Sequence, residues 1–172
     1  MLISAEYVRE FPLIPGGGLF FMPVGICIVL GSIIPRARML LVWAGIALGL
    51  ATIAFGGKYL RGLSPPTLAQ IAFFGVAIVA EGVGFRVFIP RLRPSGERKV
   101  LLGTLAIVGA RFILMLPTFG LPILVLAMLC LGNAALAWRL PDYPVGAAWC
   151  LDGIFKIGVG ATMWVASPAF SG

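Results

Sequence analysis

Four ionisable side chains stand inside apolar runs of this 172-residue sequence: Glu81, Arg111, Asp152 and Lys156. Their formal charges sum to zero. A charge near the centre of a bilayer costs at least about 2.5–3.5 kcal/mol on insertion scales, so such residues need partners or a task. Two chemistries fit. One is a buried polar site at which a proton, an ion or a small charged solute binds. The other is a set of ion pairs that pins three helices together. Asp152 and Lys156 are four residues apart with the acid first, the favourable order for a pair on one helix face. At a rise of about 1.5 Å per residue, both carboxylates lie roughly 10–12 Å from the same end of their runs and both cations roughly 16 Å. Asn133, Arg86 and Gln70 are secondary candidates. Arg86 is near the end of its run and long enough to snorkel to the headgroups.

The elements that hold these residues follow from composition. The chain is 60% apolar and 11% charged, with a mean hydropathy of +1.08. A soluble domain is nearer 45–50% apolar and about 25% charged, and a disordered chain is poor in apolar residues. Both classes are excluded. The apolar runs are continuous, without the alternation of barrel strands, and a helix satisfies its own backbone inside lipid. The expected fold is therefore all-α: one polytopic transmembrane helical bundle over residues 1–172. Six spans are expected, at about 18–34, 39–55, 68–89, 100–116, 121–138 and 145–166. The breaks are Pro35, Gly56-Gly57-Lys58, Ser64-Pro65-Pro66, Pro117 to Gly120, and Pro141 to Pro144. Pro12, Pro15 and Gly16-Gly17-Gly18 predict an irregular lead-in, with Phe11, Phe20 and Phe21 at the membrane interface. No small-residue cleavage site follows the N-terminal charges, so the first span is expected to be retained.

The formal charge is +7 and the pI about 10.0. Seven basic residues (Arg36, Arg38, Arg91, Arg93, Arg98, Lys99, Arg139) fall in loops on one side of the six-span arrangement. Three (Arg9, Lys58, Arg61) fall on the other. Basic loops face the cytoplasm, which places both termini outside and the larger group against anionic lipid. This distribution makes the lipid bilayer the partner and excludes nucleic acid. A bacterial inner-membrane location is expected. There is no histidine, so His-ligated metals and His-dependent triads are excluded, and no metal site is predicted. Cys27, Cys130 and Cys150 read as small buried apolar residues. Gly45 and Gly49, and Gly153, Gly158 and Gly160, predict close helix contacts. The first pair is a candidate face for a homo-oligomer.

The last run contains Leu151-Asp152-Gly153-Ile154-Phe155-Lys156-Ile157-Gly158-Val159-Gly160. This stretch resembles the final helix of microbial rhodopsins. The resemblance implies Lys156 as a retinal-linked lysine, Asp152 as part of its counter-ion and Trp149 as a ring-packing residue. It covers about ten residues, and retinal on Lys156 stands only as an alternative to having no cofactor. The whole chain loosely resembles a group of small uncharacterised bacterial multi-pass membrane proteins, through Gly56-Gly57-Lys58 and Asp152-Gly153 with Lys156.

The first expectation for function is ion, proton or small-solute transport through the charged cluster. The alternative is a non-catalytic structural or accessory subunit of a larger membrane complex. A third reading is a membrane enzyme acting on a lipid or isoprenoid, with Glu81 or Asp152 as a general acid. No catalytic residue is assigned, and a non-enzyme is expected.

Overall fold

The computed structural model describes residues 5–56 and 65–165. The expected turn at Gly57, Lys58 and Ser64, the charge of Arg61 and the run end at Ala166 lie outside the described residues. Among those described there is no strand. The helices are α1 (Ala5–Glu10), α2 (Ile14–Ile33), α3 (Arg38–Gly56), α4 (Leu68–Leu92), α5 (Glu97–Leu114), α6 (Leu116–Phe119), α7 (Leu121–Arg139) and α8 (Val145–Val165). Short 3-10 turns at Pro35–Ala37 and Arg93–Ser95 lead into α3 and α5.

Each of the six apolar runs forms one long helix. The largest correction is at the start of α2. Residues 14–18 are helical rather than an irregular lead-in. Pro15 sits in the first turn, where a missing N–H costs nothing. At the far end of α4 the helix passes through Pro90 and stops only at Leu92. Four helical segments are long and apolar enough to cross a membrane: Ile14–Ile33, Pro35–Phe55, Leu68–Ser95 and Leu121–Arg139. The expected six are met by length but not by composition. α5 carries Glu97, Arg98, Lys99 and Arg111, and α8 carries Asp152 and Lys156.

Neighbouring helices are packed in the order α3, α2, α8, α7, α5, α4, and α8 also touches α5. The tightest seam joins α2 to α8. A Cβ added at Gly25 would lie 2.5 Å from the Gly153 carbonyl oxygen, and one at Gly153 would lie 2.7 Å from the Gly25 oxygen. One turn pair away, a Cβ at Gly18 would lie 2.6 Å from the Gly160 oxygen. Only glycine allows two backbones to approach so closely. Gly45 and Gly49 meet Val24, Cys27 and Phe20 of α2. They are used within the chain, which corrects their assignment to an oligomer face. Gly158 meets nothing. Phe21, expected at the interface, is in the core with Phe112, Phe119, Ile123 and Leu126.

The two ends of the bundle are finished by polar caps. At one end Arg38 donates to the Gly31 carbonyl (3.3 Å). Arg98 donates to the carbonyls of Ala137 (2.6 Å), Tyr143 (2.8 Å) and Leu140 (2.9 Å). Cations at helix C-termini satisfy orphan carbonyls and suit the dipole. At the other end the Leu121 N–H donates to the Tyr7 hydroxyl (2.5 Å), fastening α1 over the start of α7. Thr67 and Gln70 form a reciprocal capping box on α4.

Candidate functional site

α8 turns one stripe inward: Trp149, Asp152, Gly153, Lys156, Gly160 and Met163 are all buried. The spacing of three and four is that of one helix face. Glycines on this stripe admit the α2 backbone, which seals the carboxylate and the ammonium between α2, α5 and α7. Asp152 accepts from Lys156 Nζ across one helical turn, and the two side chains are 1% and 2% exposed. Lys156 Nζ also lies 3.9 Å from Cys130 Sγ on α7 and 5.5 Å from the centre of the Phe112 ring on α5.

Glu81 and Arg111 form the second pair, joining α4 to α5. These side chains are 15% and 17% exposed. The Arg111 guanidinium carbon is 5.0 Å from the centre of the same Phe112 ring. Phe112 is fully buried, and Phe21 meets it edge-on at 5.5 Å. The four charged residues are thus brought into one region as two separate pairs beside one aromatic ring. The expected network pinning α4, α5 and α8 is not formed by direct ion pairs, because Asp152 and Lys156 satisfy each other on their own helix.

Four buried polar atoms, Asp152 Oδ1, Asn133 Oδ1, Trp149 Nε1 and Arg111 Nε, meet no hydrogen-bond partner among the described residues. Asn133 spends its amide N–H on the Ala148 carbonyl (2.7 Å), so its side-chain oxygen remains. Trp149 packs under Arg38, 5.1 Å from guanidinium carbon to ring centre. Among the secondary candidates, only Asn133 belongs to this region. Gln70 is at the α1 end, where it donates to the Glu10 carbonyl (2.9 Å) and its own carbonyl accepts from Thr118 (3.0 Å). Arg86 is exposed on the outside of α4.

Phe112 and Cys130 complete the site. Phe112 and Cys130 carried no signal in the sequence, since each is an ordinary apolar residue in an apolar run. Retinal does not fit at Lys156. Its Nζ is enclosed by Asp152, Cys130 and Phe112, and the α2 backbone fills the groove over Gly153 and Gly160 where a polyene would lie.

A carboxylate with one oxygen engaged and one free accepts a further donor or holds a cation. An ammonium that already touches a thiol and an aromatic face has a second seat available. Fold and site together define an α-helical protein with four helices long and apolar enough to cross a membrane and with paired charges in its interior. The chain belongs to a family of unknown function, DUF6609, which it matches over residues 5–171. No curated protein and no solved structure matches the chain.

Proposed function

We propose that the protein carries a proton or a small cation across the membrane, with the Asp152–Lys156 pair as its binding site. One observation carries this reading. The pair lies within a single helix, yet Asp152 Oδ1 is buried and meets no hydrogen-bond partner among the described residues. Buried polar groups are nearly always hydrogen-bonded, and exceptions call for a reason. A free carboxylate oxygen suits a donor or a cation. An entering cation competes with Lys156 for Asp152. The displaced ammonium retains the face of Phe112, where a cation is attracted to the ring quadrupole.

The test is reconstitution of the purified chain in liposomes containing a pH-sensitive dye, under a proton gradient and then under sodium and potassium gradients. Flux is expected with one of these ions and is expected to vanish in Asp152→Asn. An equal flux in the variant, or none with any ion, overturns the reading.

A second reading, an accessory subunit of a membrane complex or a homo-oligomer, is favoured by a different observation. Only 11% of the α3 span and 6% of the α4 span are buried within the chain. Co-purification of a defined partner after mild detergent extraction supports it, and a monomer without companions counts against it.

A further inference from the structure

α4 carries an arginine that forms no ion pair with any of the described residues. The buried residues of this helix are Gln70, Ala77 and Gly84, seven apart, so a single stripe faces the bundle. Arg86 is two residues beyond Gly84. At about 100° per residue it points to the opposite side, and it is exposed. Val79 and Arg93, seven residues to either side, are exposed on the same outward line. Gly82, one turn before Arg86, is open on that side. Pro90, one turn after, has no N–H, which leaves the Arg86 carbonyl without its helix donor.

The chain also provides no counter-charge. It has six acidic residues. Glu81 is taken by Arg111 and Asp152 by Lys156. Glu6 and Glu10 lie in α1, at the other end of the bundle. Glu97 opens α5 and Asp142 stands between α7 and α8, both at the Arg93 end, and neither forms an ion pair with Arg86. Among the described residues no carboxylate pairs with Arg86, which leaves it open to an anion from outside the chain. Arg86 lies roughly 10 Å along the helix from Arg93, within snorkelling reach of the headgroup layer.

We propose that the outer face of α4 binds an anionic phospholipid. Its phosphate sits between the guanidinium groups of Arg86 and Arg93, whose planar forks suit phosphate oxygens. Its acyl chain lies over Gly82 and Val79. An anionic headgroup is selected over a zwitterionic one because Glu81, the acidic residue of α4, is already taken by Arg111 and is not free to receive a choline ammonium.

The test is native mass spectrometry of the full chain in mild detergent, with phosphatidylglycerol or phosphatidylcholine of identical acyl chains. Phosphatidylglycerol should be retained preferentially. Arg86→Leu should lower its retention about fivefold, as should Arg93→Leu, given the usual contribution of one basic residue at an anionic surface. Arg36→Leu, exposed at the same end but on another helix, should leave retention unchanged. Arg93 lies beyond the end of α4, so its variant decides the matter even where Arg86→Leu folds poorly. Equal retention of the two lipids overturns the proposal. So does an equal effect of Arg36→Leu, which would mark diffuse surface charge. Displacement by chain-free glycerol phosphate as readily as by lipid would identify a phosphate site and not a lipid site. Loss of a co-purifying protein in Arg86→Leu, with lipid retention intact, would assign the arginine to a partner carboxylate.

Discussion

The two ion pairs differ in what they connect. Glu81–Arg111 ties α4 to α5 and is partly open to its surroundings, while Asp152–Lys156 lies within α8 and is sealed. The first explains itself. α4 touches the bundle mainly through α5, and a pair between them is a clamp. The second clamps nothing, because both partners belong to one helix. A buried pair pays heavily in desolvation and is often no more stable than apolar residues of similar volume. A charge pair that holds no helices together and still occupies the interior is better explained by what it binds than by what it fastens.

The sharpest way to break this contrast is Lys156→Met. It leaves Asp152 buried and alone, and should cost about 3–5 kcal/mol. The double variant Asp152→Leu with Lys156→Met should recover most of that loss while abolishing ion flux. Thermal unfolding in detergent reads the first outcome and liposome flux the second. An unchanged melting temperature in Lys156→Met would mean that the sealed pair is not a pair in energetic terms.

Gly153→Ala should come next. The added Cβ meets the Gly25 carbonyl at 2.7 Å and the Val29 N at 3.0 Å, a backbone clash expected to cost about 1–3 kcal/mol. Gly158→Ala, on the open side of the same helix, should be silent. If the α2 seal makes Asp152–Lys156 exceptional, Lys156→Met should cost less on the Gly153→Ala background than alone.

Arg111→Met should have the smallest effect, about 1–2 kcal/mol, between the values for exposed and buried pairs. Its signature is local. Hydrogen exchange should quicken along α4 and stay unchanged along α8. Equal quickening of both helices would erase the difference between the pairs.

Much of the fold was legible, because a continuous apolar run has few structural options in a membrane. The Asp152–Lys156 pair was also legible, from spacing alone. The pairing of Glu81 with Arg111 was not, since depth estimates bring residues to one level without saying which helices touch. Gly16-Gly17-Gly18 looked like a helix breaker, and is helical because Gly17 and Gly18 receive the packed side chains and backbone of other helices. Arg38 and Arg98 counted toward topology in the sequence. Folded, they serve as caps on carbonyls that single-helix periodicity does not reveal. α1 escaped notice because six residues are too few for any periodic signal.

The glycine seam between α2 and α8 has a consequence for synthesis. Its two sides are separated along the chain by α3 through α7, so this close backbone contact cannot form until α8 has left the ribosome. Until then α2 carries an open groove along Gly18 and Gly25, with only α3 beside it. Long-range contacts of this kind form slowly, because the intervening chain must first be ordered. Sealing of the Asp152–Lys156 pair must then be among the last events of biogenesis, and a nascent chain interrupted before α8 would hold the α2 cover without the charges it encloses.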